Sequence, residues 1–81
     1  QKFPQIKNNI KIKKNFSKKM EEKIVRVNLY FERKYKKLRF LIRKSGTEPL
    51  IRILVEGMDK EKVEHVSIIL IAEINSILNA K

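Results

Sequence analysis

The sequence predicts a small α+β domain in which an antiparallel sheet is covered on one face by two helices. Period-two alternation of apolar residues occurs in three short stretches, and apolar residues at helical spacing occur in two longer ones. The order is strand, helix, strand, strand, helix, and 81 residues provide for one domain. Because each element has one apolar face to bury, a single layer of helices on the sheet is the natural arrangement.

The first strand follows a rigid entry, FPQ, at residues 3–5. Pro4 fixes its own backbone and favours an extended conformation at Phe3. Alternation with lysine and asparagine then predicts a strand whose buried face carries Ile6, Asn8, Ile10 and Ile12.

The stretch from residue 18 to residue 36 fits two patterns. Helical spacing joins Met20, Ile24, Val27 and Phe31, whereas strand alternation joins Val25, Val27, Leu29 and Phe31. The helical pattern is longer, and neither glycine nor proline interrupts it. We therefore predict a helix over residues 18–36, with Ser17 as its N-cap.

The second half of the chain predicts a strand–loop–strand unit followed by a helix. The strands are Leu38–Ile42 and Leu50–Glu56, and the loop between them is RKSGTEP at residues 43–49. Gly57 ends the second strand, and Asp59 is the predicted N-cap of a helix that runs to about Leu78. Its core-facing seam comprises Val63, Val66, Leu70, Ile74 and Ile77.

Charge and composition limit the classes of partner. The chain has 20 Lys and Arg against 9 Asp and Glu, a net charge of +11. This excess favours an anionic partner such as nucleic acid, an acidic membrane surface or a phosphorylated small molecule. Frequent Lys, Ile and Asn also fit the drift of an AT-rich coding sequence. A second interpretation, in which the excess positive charge has no function, therefore stays open. The absence of cysteine agrees with a cytoplasmic protein, and no apolar run of ~18–20 residues indicates a membrane partner.

The loop carries a dense set of anion donors. Gly46 lets the backbone turn with positive φ and present its N–H groups inward. Ser45 and Thr47 add hydroxyl donors, and Arg43 offers a guanidinium in the bidentate geometry that suits phosphate. Arg52, on the next strand, can reach back across the loop.

Two further loop residues have predicted supporting roles. Pro49 stiffens the exit of the loop, and Glu48 braces it by accepting backbone N–H bonds, with a direct contact of Glu48 to a ligand left open. Ser-Gly-Thr is also ordinary hairpin material. From the residues alone, anion binding and a plain connection both remain open.

The motif RKSGTEPLIR resembles the phosphate-binding loop of the α-D-phosphohexomutase superfamily. The form KSGTEPLIRILVEG, with FPQ far upstream, is similar to the C-terminal domain of the bacterial phosphoglucosamine mutase family, and the similarity covers nearly the whole chain. It implies the α+β fold of the phosphoglucomutase C-terminal domain, which is like that of the TATA-box-binding protein.

The resemblance also implies a function. In that family the last domain holds the phosphate that is not being transferred, and the matching positions are Arg43, Ser45, Gly46, Thr47 and Arg52. The reaction is the interconversion of glucosamine 6-phosphate and glucosamine 1-phosphate, on the route to peptidoglycan precursors. A phosphoserine and a Mg²⁺ ion in other domains carry out the transfer. Neither the serine-loop nor the metal-loop motif occurs in these 81 residues. We therefore expect the chain to act with those domains, to hold no cofactor itself and to be inactive alone.

Two other classes of function compete with this reading. KIKKNFSKK and ERKYKKLRF are basic stretches that include or flank Phe16, Tyr30, Tyr35 and Phe40, a composition that suits nucleic-acid binding. No RNP, KH or zinc signature accompanies them, so no nucleic-acid partner is expected. The extra apolar residues of the last helix, Ile68, Ile69 and Ile71, leave an interaction role open.

Overall fold

A computed structural model of the chain describes residues 3–79 and confirms the predicted α+β class. The elements in chain order are β1 (Gln5–Lys11), α1 (Lys18–Lys34), β2 (Arg39–Lys44), β3 (Leu50–Glu56) and α2 (Lys60–Leu78). The strands form one antiparallel sheet in the order β1-β3-β2. The central strand is therefore the one that follows the RKSGTEP motif.

The two faces of the sheet differ in burial, most clearly along β3. On one face, Ile51, Ile53 and Val55 of β3 are at most 2% exposed and belong to the hydrophobic core beneath both helices. The opposite side, here called the open face, carries the odd-numbered residues of β1 and β2 and the even-numbered residues of β3. Nothing within residues 3–79 covers it, and its side chains are exposed or half-buried. The predicted layer of helices on one side of the sheet is confirmed.

Burial also decides the ambiguous segment in favour of a helix. Ile24 and Phe31 are 5% and 4% exposed, whereas Val25 and Leu29 are 52% and 47% exposed. A strand would bury Val25, Leu29 and Phe31 on the same face, so the longer period describes α1 correctly. In α2, four of the five predicted seam residues are at most 1% exposed, and the fifth, Ile77, is half-buried.

Both predicted N-caps are present. The Ser17 hydroxyl accepts a hydrogen bond from the amide of Met20 at 3.3 Å. The Asp59 carboxylate accepts from the amides of Glu61 and Lys62 at 3.1 and 3.3 Å. Each cap satisfies amides that have no partner within the first turn of the helix.

Removing the second cap tests its contribution. We expect Asp59→Ala to lower the free energy of unfolding by about 1 kcal/mol, because the Glu61 and Lys62 amides lose their acceptor. Asp59→Asn keeps a side-chain oxygen and is expected to retain most of the stability. Urea unfolding followed by circular dichroism measures both. Equal losses in the two variants would show that the carboxylate charge, rather than the capping oxygen, stabilises the helix.

Two predicted elements have wrong boundaries. Helix α1 ends at Lys34, two residues early, because the Tyr35 amide closes the last turn onto the Phe31 carbonyl at 2.8 Å and the Leu38 amide then bonds back to Tyr35. Strand β2 covers Arg39–Lys44 rather than Leu38–Ile42. It continues through Arg43 and Lys44 because these residues pair with Arg52 and Ile51 of β3. The loop is correspondingly two residues shorter.

Candidate functional site

Two arginines stand opposite each other on the open face. Arg43 of β2 and Arg52 of β3 are direct partners in the antiparallel register, which sets their Cβ atoms about 5 Å apart. Like charges in this arrangement destabilise a sheet. Within residues 3–79, Arg43 forms no ion pair, and Arg52 lies 3.9 Å from Glu48 in a pair whose side chains are 60% and 61% exposed. The sheet therefore keeps two cations together with little internal compensation.

Ser45 closes the loop with its backbone. Its amide donates to the Leu50 carbonyl at 2.9 Å and is therefore not available to a ligand. Its hydroxyl oxygen accepts from the Glu48 amide at 3.3 Å. Because a hydroxyl also donates, the Ser45 hydroxyl hydrogen stays available to an anion.

Gly46 does not adopt the predicted positive φ. None of residues 3–79 has a positive φ, and the change of direction is instead spread over a bend at residues 46–49. A Cβ added at Gly46 would meet no heavy atom within 4 Å. Nothing in the described fold therefore requires glycine here.

The next two amides of the loop are unengaged. Neither Gly46 nor Thr47 donates its backbone N–H to another atom of residues 3–79, and both residues are exposed. The Thr47 hydroxyl is likewise exposed beside them. The site thus offers two amides, two hydroxyls and two guanidinium groups, which is the kind of donor set that phosphate oxygens require.

The remaining loop residues hold this arrangement in place. The Pro49 carbonyl accepts from the Ile12 amide at 2.8 Å and so ties the loop to the end of β1. The predicted role of Glu48 is wrong in detail: its carboxylate contacts Arg52 and accepts no backbone N–H among the described residues. Lys44 points to the helix side, where its Nζ lies 5.4 Å from the centre of the Phe16 ring.

Other kinds of site find little support in the described part of the chain. In residues 3–79, no three His, Cys, Asp or Glu side chains come together to hold a metal ion. The four aromatic residues of the basic stretches are mostly unavailable for stacking on bases: Phe40 is 6% exposed, Phe16 and Tyr35 are half-buried, and only Tyr30 is more than half exposed. None of the described helices has the length and apolar character to cross a membrane.

Comparison with known proteins decides the family. The model of the family described as "Phosphoglucomutase/phosphomannomutase, C-terminal domain" matches residues 3–68. The chain belongs to this family. The resemblance predicted from the loop motif is therefore confirmed.

Curated relatives agree with the family assignment. A phosphoglucosamine mutase of Marinomonas sp. is 40% identical over 81 residues, which cover 99% of this chain and 18% of that protein. A phosphoglucosamine mutase of Carboxydothermus hydrogenoformans is 36% identical over 76 residues, covering 94% of this chain and 17% of the relative. The chain thus spans less than a fifth of the length of these relatives.

Two residues near the arginines were missed by sequence reasoning. Asn9 of β1 is the register partner of Arg52, and Lys7 is the partner of Leu54 one row farther along. Together with Arg43 and Arg52, these two residues line a shallow depression of about 400 Å³ on the open face. The alternation in β1 assigns them to the polar face, but no signal in the sequence says which strand lies beside β1.

Proposed function

We propose that this chain binds the phosphate group of a phosphosugar and serves as the C-terminal domain of a phosphoglucosamine mutase. The substrates would be glucosamine 6-phosphate and glucosamine 1-phosphate. The observation that carries the proposal is the Arg43–Arg52 pair, two adjacent cations on the open face beside a loop with unengaged donors. The names of the relatives support the choice of mutase.

The chemistry assigned to each group follows from its donors. Arg43 supplies a bidentate guanidinium, and Arg52 supplies a second cation after exchanging its exposed contact with Glu48 for the ligand. The amides of Gly46 and Thr47 and the hydroxyls of Ser45 and Thr47 complete the set. An exposed ion pair such as Arg52–Glu48 contributes about 0–1 kcal/mol, so a phosphate dianion competes well for the arginine.

In the proposed enzyme this domain orients the substrate and does not itself react. A phosphoserine and a Mg²⁺ ion in other domains would carry out phosphoryl transfer, and no residue of this chain is proposed to hold the ion. Holding the idle phosphate positions the opposite end of the sugar, so binding energy far from the reacting atoms lowers the barrier. The proposed setting is a bacterial cytoplasm, in the supply of peptidoglycan precursors.

Titration of the chain with glucosamine 6-phosphate, followed by amide NMR spectra, tests the proposal. We expect weak binding, with shifts concentrated on residues 43–52. Arg43→Gln is expected to weaken binding roughly tenfold, which corresponds to losing a charge-assisted hydrogen bond of about 1.5 kcal/mol. Arg33→Gln removes the same charge from the last turn of α1 and serves as the matched control.

Two outcomes would contradict this function. Shifts confined to residues outside 43–52 would place the ligand elsewhere. Equal weakening by Arg43→Gln and Arg33→Gln would mean that the net charge of the domain, rather than the site, attracts the ligand.

A further inference from the structure

The depression beside the arginines extends the open face away from the loop. Apart from Ile53, its lining consists of two rows of register partners. One row is Asn9, Arg52 and Arg43, and the neighbouring row is Lys7, Leu54 and Leu41. Along each strand the second row lies about 7 Å farther from the loop. The volume of about 400 Å³ falls within the range of about 300–1,000 Å³ that is usual for small-molecule sites.

The two rows differ in chemistry. The row nearer the loop carries both arginines and a carboxamide that can donate and accept hydrogen bonds. The farther row has an apolar centre, since Leu41 is 45% exposed and Leu54 half-buried, and it is flanked on β1 by the ammonium group of Lys7. The surface is therefore strongly cationic in the row nearer the loop. In the farther row it is apolar at the centre and polar at the β1 edge.

No free carboxylate lies in the depression. Glu56, one row beyond Leu54, accepts a hydrogen bond from Gln5 at 2.6 Å and lies 4.0 Å from Arg39. Glu48 is at the other end, beside Arg52. Both acids near this surface are thus paired at its two ends, and the centre stays open to a ligand that needs donors and an apolar floor.

We propose that the depression receives the hydroxylated organic part of the phosphate ester whose phosphate is held at the loop, with Asn9 and Lys7 as its hydrogen-bonding residues. This inference rests on the proposed function. A hexose presents C–H groups on its ring faces and hydroxyls at its edge, which matches the Leu41–Leu54 floor and the flanking polar side chains. The farther row offers one ammonium group, without the paired guanidinium groups that a second phosphate would favour.

The decisive comparison uses inorganic phosphate and glucosamine 6-phosphate on the same protein. On the unaltered chain, both ligands are expected to shift the amides of residues 43–52. The ester alone is expected to shift those of Lys7, Asn9 and Leu54. Asn9→Ala and Lys7→Met are expected to weaken binding of the ester about three- to tenfold, the range that one net hydrogen bond provides, and to leave inorganic phosphate within about twofold.

Matched variants separate this effect from changes in charge or fold. Lys23→Met and Asn75→Ala alter exposed positions on α1 and α2 and should change neither affinity. Equal weakening of both ligands by the β1 variants, or no weakening of the ester, would overturn the inference while leaving the phosphate site intact. Absence of shifts at residues 43–52 with either ligand would instead overturn the proposed function, and this inference with it.

Discussion

Replacing Leu70 by alanine is expected to lower the free energy of unfolding by about 3–5 kcal/mol, the largest loss for any variant considered. Leu70 is fully buried in the seam of α2, at the centre of the hydrophobic core. The substitution removes the transfer free energy of the buried side chain and leaves a cavity that close-packed neighbours fill only in part.

The loss is large compared with the stability of the whole domain. At about 0.05–0.15 kcal/mol per residue, an 81-residue domain has roughly 4–12 kcal/mol in total. A substantial unfolded population of Leu70→Ala is therefore expected at room temperature when the starting stability is at the lower end of that range. Urea unfolding monitored by circular dichroism provides the measurement.

Ile68 provides a control on the same helix. It is 69% exposed, so Ile68→Ala is expected to change stability by no more than about 0.5 kcal/mol. Similar losses at the two positions would mean that α2 buries a different face.

The second large effect is a loss of stability that we expect when Gly57, but not Gly46, is replaced by alanine. A Cβ at Gly57 would overlap the Leu38 side chain and lie 3.1 Å from Cγ2 of Val63, so Gly57→Ala is expected to cost about 1–3 kcal/mol through overpacking. Gly46→Ala places its Cβ in open space and is expected to change stability by less than about 1 kcal/mol. Thermal unfolding distinguishes the two.

The same pair gives opposite results in ligand binding. At Gly46, the added methyl group stands beside the two unengaged amides, where the phosphate of the proposed ligand would approach the backbone. We expect Gly46→Ala to weaken binding of glucosamine 6-phosphate on the order of tenfold, because close approach of backbone to ligand is what glycine permits. Gly57→Ala, measured under conditions where it stays folded, should bind as the unaltered chain does. Unchanged affinity in Gly46→Ala would remove the two amides from the proposed site.

Much of the fold was predictable because buried apolar residues recur in the sequence with the period of the strand or helix that carries them. The alternation of Ile51, Ile53 and Val55 predicted β3 with its correct ends, and Asp59 marked the start of α2. The end of β2 was not predictable in this way. Arg43 and Lys44 are polar residues that resemble a loop, and they become strand because β3 supplies their pairing partners.

The sequence named candidate site residues, and the structure places several of them in a geometry that differs from the predicted one. The sequence set Arg43 in the loop and allowed Arg52 to reach back across it, whereas their direct pairing on adjacent strands was not predicted. The hydrogen bond from the Ser45 amide to Leu50 depends on how the loop closes, which residue identity alone does not specify. Asn9 lies beside Arg52 because β1 pairs with β3, and the two residues are 43 positions apart in the chain. A single sequence does not show which distant strands pair.

The strand order has a consequence for how the protein is made. β1 is the first strand in the chain, and its only pairing partner within the described sheet is β3. During synthesis α1 and β2 are made before β3, so β1 has no partner in the sheet until both are complete. An unpaired strand is a template for pairing with other chains, and charged side chains discourage such association. Lys7 and Lys11 are exposed charged residues of β1 and are suited to this purpose. Exchanging both for neutral residues should therefore lower the yield of soluble protein even where the finished domain remains stable.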